Sequence, residues 1–207
     1  MKIEDISSIL KDHAPGPIGV KNKYSVLIPL IEIDGELNLL YEIRSKSLRN
    51  QPGEISFPGG RIEDGEDYIQ AAIRETSEEL CIPEDKVEVV AEGDFLINPY
   101  HAIIYSVVGK LNVDEAEIKA SRDEVDSVFY VPLKYFLENE PDIYELDLKV
   151  NSSEDFPYEL IPNGKNYKFK RGMDRVHFYK YKGKIIWGFT AKLTYNFIQS
   201  LKCGNNS

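Results

Sequence analysis

The stretch from residue 60 to residue 82 constrains this chain most, because it places three glutamates on one face of a predicted helix. Glu75, Glu78 and Glu79 stand at positions i, i+3 and i+4, so a helix brings their side chains together. Asp67 is the expected N-cap, and Pro83 is expected to end the helix. The positions expected to pack against a sheet share one face and are Ile69, Ala72, Ile73, Thr76 and Leu80.

Two interpretations of this acidic face are open. Carboxylates so close repel one another, and a solvated acidic face is common in a chain with 35 acidic residues. A binding site for hard divalent cations is the alternative, because such ions need clustered oxygen ligands. The preceding run, Phe57-Pro58-Gly59-Gly60, favours the cation site, since paired glycines let the backbone come close to a ligand.

The spacing of these residues resembles the Nudix box, Gly-x5-Glu-x7-Arg-Glu-U-x-Glu-Glu-x-Gly-U, where U is a bulky aliphatic residue. Two positions depart from it: Thr76 replaces the first U, and Cys81 replaces the second glycine. A left-handed residue is often needed near that helix end, where a side chain costs about 1 kcal/mol. The matching positions are Gly60, Glu66, Arg74, Glu75, Glu78, Glu79 and Ile82.

A second pattern precedes the box and is similar to the signature of the coenzyme A pyrophosphatase branch of the Nudix family. That signature reads Leu-Leu-Thr-x-Arg-Ser/Ala-x3-Arg-x3-Gly-x3-Phe-Pro-Gly-Gly, and Tyr41 and Glu42 depart from it. The two arginines of this pattern, Arg44 and Arg49, could simply add surface charge that keeps the protein soluble. In this register they are interpreted instead as guanidinium groups that bind phosphate. The resemblance thus predicts four substrate-binding residues, which are Arg44, Ser45, Arg49 and Phe57.

The resemblance implies a fold and a set of site residues. The fold is an α/β one, the Nudix α/β/α sandwich, with a mixed β-sheet between helices. Mg²⁺ or Mn²⁺ is expected on Glu75, Glu78, Glu79 and the carbonyl of Gly59. Arg74 is expected to orient a carboxylate, and Glu66 is expected to act on the site through another residue rather than by binding the ion itself. The implied catalytic residues are Glu79, Glu78, Arg74 and Glu124, the last as a candidate general base or ligand from a late loop.

The implied activity is metal-dependent hydrolysis of the pyrophosphate bond of coenzyme A, or of its acylated or oxidised forms, to 3′,5′-ADP and 4′-phosphopantetheine or its acyl derivative. Another Nudix substrate is an alternative, such as ADP-ribose, a dinucleoside polyphosphate or an oxidised nucleotide. A non-catalytic, nucleotide-sensing Nudix domain is a third reading. The complete acidic set, with Glu75, Glu78 and Glu79 all present, favours an enzyme.

The remaining sequence is interpreted as one domain over residues 1–207, with an N-terminal helical extension over residues 1–20. Asp34-Gly35 and Lys182-Gly183 are expected hairpin turns, and Asn98-Pro99-Tyr100 a turn that could line a substrate cleft. Residues 142–166 are expected to form an irregular insertion, because they mix Asp, Ser, Pro and Gly. Trp187 is most simply a core residue.

Composition and the chain ends limit the kinds of partner and the location expected for this protein. A net charge of −10 argues against general nucleic-acid binding and leaves a small-molecule substrate as the expected partner. The sequence contains no signal peptide or membrane-spanning run, and it ends in Cys-Gly-Asn-Asn-Ser rather than a Ser-Lys-Leu address, so a cytoplasmic location and no membrane partner are expected. A disulfide between Cys81 and Cys203 is not expected. A homodimer is compatible with the sequence.

Overall fold

Strand β1 (Asn22–Ile33) is the strand on which the main sheet is built, in a computed structural model that describes residues 1–204. Its last residues pair antiparallel with β2 (Glu36–Arg44), and its first residues pair antiparallel with β4 (Gly59–Arg61). Its other edge pairs in parallel with β7 (Ala102–Leu111). One edge of β1 is therefore shared by two strands, and the sheet forks between β2 and β4.

The remaining strands extend this sheet on both sides of β1. β3 (Ile55–Ser56) and β8 (Val125–Pro132) pair with β2, while β5 (Val87–Glu92) and β6 (Leu96–Asn98) pair with β7. The eight strands form one mixed sheet, as predicted. Asp34 and Gly35 have φ angles of 51° and 77°, which is the left-handed pair that a two-residue hairpin between β1 and β2 requires.

Helices cover both faces of the main sheet, which confirms the predicted α/β/α arrangement. Helix α2 (Tyr68–Leu80) packs on one face, where Ala72 and Leu80 join Leu27 and Leu40 of the strands in a buried cluster. Helices α3 (Leu133–Glu138) and α4 (Gly188–Gly204) lie on the other face. Their cluster of buried residues contains Leu39, Tyr41, Phe136, Ala191 and Ile198.

A second sheet of three antiparallel strands, β9 (Asp142–Leu148), β10 (Gly172–Tyr181) and β11 (Lys184–Trp187), lies beside α4. The prediction of an irregular insertion over 142–166 is therefore wrong for its first seven residues, which form β9. The strand signal is the alternation of Tyr144, Leu146 and Leu148 with acidic residues. Residues beyond β9 contain only short 3₁₀ turns before β10, and the predicted Lys182-Gly183 turn is present.

The N-terminal segment contains helix α1 (Ile3–Leu10), as predicted, and none of its residues is buried. Among residues 1–204, no helix is long and apolar enough to cross a bilayer. Cys81 and Cys203 are free and exposed. The treatment of residues 1–207 as one domain stays a prediction, and residues 205–207 lie outside the described part of the chain.

Candidate active site

Glu79 links helix α2 to the glycine turn (residues 57–60) at the fork of the sheet. The amide of Gly59 donates a hydrogen bond to Oε2 of Glu79 over 2.8 Å. Pro58 accepts a bond from Leu27 of β1, so the alternation of an antiparallel pair turns the amide and carbonyl of Gly59 away from β1. A Cβ on Gly59, whose φ is +153°, would lie 2.3 Å from the carbonyl oxygen of Ser25, so only glycine fits here.

The second glycine of the turn makes room for Glu75. A Cβ on Gly60 would lie 2.3 Å from Oε1 and 2.5 Å from Oε2 of Glu75. The carboxylate of Glu75 therefore packs directly against the backbone at this position. The two glycines thus bring two acidic side chains of α2 to one short stretch of main chain.

Arg74 ties the loop before α2 to the acidic face of the helix. Its Nε and Nη2 donate to the two oxygens of Glu66 over 3.1 and 2.8 Å, which is the bidentate pairing that arginine favours. Its Nη1 donates to Oε1 of Glu75 over 2.9 Å and to Oε2 of Glu78 over 3.4 Å. Hydrogen bonding to Arg74 lowers the pKa of Glu66. Arg74 is thus bonded to three carboxylates, and its role in orienting them for the reaction stays a prediction.

Two carboxyl groups are buried side by side beneath α2. Glu79 is 4% exposed, and burial raises its pKa to about 7, against the hydrogen bond from Gly59. Glu42 of β2 is 1% exposed, and burial raises its pKa well above the usual range for a glutamate. Repulsion from Glu79 raises the pKa of Glu42 further, and its protonated form can share a hydrogen bond with Glu79.

Glu124 reaches the same cluster from a loop that is fastened at both ends. Ser121 donates from its amide to the carbonyl of Glu79 over 2.8 Å, which attaches the loop to the last turn of α2. The carbonyl of Glu124 accepts a bond from the amide of Ser45 over 2.8 Å, which attaches it to the end of β2. The negative charge of Glu124 contributes to the raised pKa values of Glu75 and Glu79.

The glycine turn opens into a cleft of about 670 Å³ between the main sheet and the three-stranded sheet. Its lining includes Gly59, Gly60 and Arg44 from the main sheet and its glycine turn. The second sheet and the start of α4 contribute both polar residues, among them Asp174 and Lys192, and an apolar set that is Leu146, Leu148, Val176, Trp187, Phe189 and Leu193. Such a volume suits a ligand of the size of a nucleotide derivative.

Comparison with known proteins decides the family. The model of the NUDIX domain matches residues 21–149. The chain belongs to the Nudix family. The mouse peroxisomal coenzyme A diphosphatase NUDT7 is 38% identical over 152 residues, which cover 70% of this chain and 63% of the mouse protein, less than two thirds of its length. The human mitochondrial coenzyme A diphosphatase NUDT8 is 33% identical over 87% of this chain and 70% of its own length.

These relatives support the predicted coenzyme A branch of the Nudix family. They are named for peroxisomes and mitochondria, so the cytoplasmic location is not confirmed and stays a prediction. Among solved structures, a MutT/nudix family protein from Enterococcus faecalis aligns with a TM-score of 0.50 and 14% identity, covering 100% of this chain and 70% of that protein. At that identity the alignment supports the fold alone.

The structure brings some of the predicted Nudix substrate residues to the cleft and leaves others outside it. Arg44 and Phe57 line the cleft, although Phe57 is 3% exposed and stacks on Tyr41 with ring centroids 4.8 Å apart. Ser45 is buried and bonds to Ser47, and Arg49 is exposed and outside the cleft lining. Substrate binding by all four residues stays a prediction.

Several residues of this Nudix site were missed or misjudged from the sequence. Trp187 is 42% exposed and lines the cleft, so the prediction of a core position is wrong. Its partner in the sheet is Phe178, which stacks on one face of the indole and leaves the rest to the cleft. The predicted Asn98-Pro99-Tyr100 turn does line the cleft. Glu42 was noticed only as a departure from the signature, and its polar character in an apolar strand was the available signal.

Nudix hydrolases generally use divalent metal ions, and the donors here fit such an ion chemically. The carboxylates of Glu75, Glu78 and Glu79 are hard oxygen ligands, and Glu42 adds two buried oxygens with no hydrogen-bond partner. No three acidic, histidine or cysteine side chains of residues 1–204 already converge as ligands, since Arg74 draws Glu75 and Glu78 to itself. The side chain of Glu78 is 59% exposed, so its rotation is unhindered.

Proposed function

We propose that this chain hydrolyses the pyrophosphate bond of coenzyme A or its acyl or oxidised derivatives with Mg²⁺ or Mn²⁺. The products would be 3′,5′-ADP and 4′-phosphopantetheine or its acylated form. One observation carries the proposal: the glycine turn that contacts Glu75 and Glu79 lines the same cleft as a set of apolar side chains from the second sheet and α4. A substrate that joins a pyrophosphate to a long, weakly polar arm matches a cleft with these two kinds of lining.

Arg44 supports the placement of the pyrophosphate beside the glycine turn. It lines the cleft, and its buried Nε has no hydrogen-bond partner among the described residues. A buried guanidinium donor without a partner is costly, and a phosphate oxygen would satisfy it. In a chain of net charge −10, such local positive charge is needed to hold an anionic substrate.

The apolar wall supports the placement of the pantetheine arm and any acyl group. Leu146, Leu148 and Trp187 line the cleft and are 56%, 37% and 42% exposed, so part of the apolar surface of each is open to a ligand. Covering that surface with an acyl chain would contribute about 25 cal/mol for each Å² removed from water. The names of the relatives from mouse and human point to the same substrate class.

The acidic residues have two kinds of task in the proposed mechanism, holding the cation and accepting a proton. A bound divalent cation would activate the attacking water and neutralise charge on the phosphoryl oxygens. Glu75, Glu78, Glu79 and the carbonyl of Gly59 would hold it, and Arg74 would keep Glu75 in place. Glu124 is the candidate for accepting the proton of the water, because its charge faces Glu75 and Glu79 from outside α2.

The proposal is tested by incubating the purified protein with Mg²⁺ or Mn²⁺ and a panel of substrates. The panel contains coenzyme A, acyl-coenzyme A, ADP-ribose and a dinucleoside polyphosphate, with products separated by chromatography. Selective release of 3′,5′-ADP is expected. Cleavage of ADP-ribose in preference to every coenzyme A form would reject the substrate, and no turnover with bound cation would favour a sensing role.

A further inference from the structure

Glu42 is a carboxylate that the described structure leaves without a partner. Its side chain is 1% exposed, and neither carboxylate oxygen accepts a hydrogen bond from any described residue. An ionised carboxylate in such a place is strongly disfavoured unless a positive charge or a donor compensates it. When Glu42 is ionised, the position therefore calls for a cation, since a hydrogen bond shared with Glu79 requires a proton on one of the two carboxyl groups.

The register of β2 places this carboxylate between the core under α2 and the open cleft. Side chains alternate along a strand, so Leu40 and Glu42 point to the same face, and Arg44 follows after an irregularity in the pairing of β2 with β8. Leu40 packs in the cluster beneath α2 that contains Leu80, and Arg44 lines the cleft. Glu42 lies between them, against Glu79.

Arg44 does not supply the missing hydrogen bond to Glu42. The positive charge of Arg44 favours the ionised forms of Glu42 and Glu79, but neither oxygen of Glu42 accepts a bond from it. The charge of Glu124 adds to the negative potential at Glu42. A small dication at this point would face the carboxylates of Glu42, Glu79 and Glu124, with Arg44 close to the first two and Arg74 bonded to the neighbouring Glu75 and Glu78.

We propose that Glu42 adds a further carboxylate to the cation site, sharing with Glu79 the divalent ion that Glu75, Glu78 and Glu79 are proposed to hold. The inference rests on the proposed metal-dependent function and deepens it. The coenzyme A signature has a neutral threonine at this position, so the extra carboxylate is a feature of this chain. Cation affinity rises with the number of charged oxygen ligands, so Glu42 would make the site bind its ion more tightly.

The test measures cation binding without substrate. Mn²⁺ is titrated calorimetrically into the wild-type protein and into Glu42→Gln and Glu42→Thr, and thermal unfolding is recorded with and without the ion. Glu32→Gln is the control, because Glu32 is an exposed position of the neighbouring strand β1 and its replacement removes the same charge. Two replacements at Glu42 are used so that a folding defect in one does not decide the result.

The expected result is a weakening of Mn²⁺ binding by about tenfold or more in both Glu42 variants, with the control unchanged. The metal-free variants should unfold at or above the wild-type temperature, while the stabilisation by Mn²⁺ should shrink. Unchanged affinity in both variants would overturn the proposal even if their metal-free stability rises. Tighter binding by the wild type without any hydrolysis of coenzyme A would support Glu42 as a ligand and reject the proposed substrate.

Discussion

The backbone amide of Gly59 and Oε2 of Glu79 are joined by a hydrogen bond of 2.8 Å, so the glycine turn and the last turn of α2 fix each other. The neighbouring glycine plays a different part. A Cβ on Gly59 would meet the backbone of β1, whereas the atoms nearest to a Cβ on Gly60 are those of the Glu75 carboxylate, the far end of a flexible side chain.

Alanine at these two glycines should therefore give opposite phenotypes. Gly59→Ala should lower the free energy of unfolding by about 2–4 kcal/mol, because backbone must shift and φ is unfavourable. Gly60→Ala should keep nearly wild-type stability but lose cation binding and turnover, because Glu75 is displaced. Urea unfolding and Mn²⁺ titration of both variants check this. Equal loss of stability in the two would contradict the assignment.

Replacement of Glu79 by glutamine should remove most turnover and leave the fold intact. Glutamine keeps an oxygen for the amide of Gly59 but removes the charge that would hold the cation. We expect a fall in kcat of about 100-fold or more. Glu138→Gln, which removes an exposed charge paired with Lys134 at 3.7 Å, is the control. Near-full activity of Glu79→Gln would reject Glu79 as a ligand.

The apolar wall of the cleft should discriminate between acylated and free coenzyme A. Leu148→Thr keeps a residue that suits a strand but removes apolar surface from the wall. We expect KM for octanoyl-coenzyme A to rise about tenfold, equivalent to ~1.4 kcal/mol, with little change for free coenzyme A. Leu160→Thr is the control, since Leu160 is 77% exposed and lies outside the cleft lining. A parallel rise for both substrates would place the acyl group elsewhere.

Cys81 ends α2 in the left-handed conformation, with φ 52° and ψ 44°, at the position where the Nudix box has glycine. Cys81→Gly should therefore raise the free energy of unfolding by about 0.5–1 kcal/mol, because glycine adopts this conformation without steric cost. Cys81→Ala keeps the Cβ and should give no such gain, which separates backbone strain from loss of the thiol. Equal effects of the two replacements in urea unfolding would contradict this explanation.

His177 should make the folded state sensitive to acid. Burial lowers its pKa, and the charge of Lys192 lowers it further, while a backbone hydrogen bond to Arg175 and the charge of Asp174 act in the opposite direction. Because the folded-state pKa lies below the unfolded value of about 6.5, the unfolded chain binds the proton more readily. The contribution of His177 is therefore constant above about pH 6.5 and declines below it, by up to about 1.4 kcal/mol per pH unit.

The measurement for His177 compares urea unfolding at pH 7.5 and pH 5.5. His177→Gln should lose less stability than the wild-type protein on acidification, because glutamine does not titrate. His13→Gln, at an exposed position, should follow the wild-type curve. If all three proteins lose the same stability between these pH values, the acid sensitivity does not come from His177.

Features that depend on neighbours in the chain could be predicted from the sequence. Asp67 accepts bonds from the amides of Ile69 and Gln70, as expected of an N-cap, and helical spacing placed the three glutamates correctly on α2. The pairing of Arg74 with the box carboxylates likewise follows from short separations along the chain. Local rules were sufficient for these positions.

Features that depend on contacts between distant segments could not be predicted. Whether an acidic residue of β2 is buried depends on which part of α2 covers it, and Glu42 and Glu79 are far apart in the chain. The exposure of Trp187 likewise depends on the position of the second sheet. Strand β9 pairs with β10, which lies more than twenty residues later in the chain. No spacing rule within the sequence supplies these contacts.

The late position of β10 and β11 sets part of the cleft wall apart, along the chain, from the proposed cation ligands. The acidic groups lie within the segment matched by the NUDIX domain model, residues 21–149, as do Leu146 and Leu148 of the cleft wall, whereas Val176, Trp187 and Leu193 lie after it. A change in the later segment is therefore expected to alter substrate choice while leaving the proposed cation ligands in place. Exchange of residues 172–193 between relatives would be a direct route to new selectivity on an unchanged hydrolytic centre.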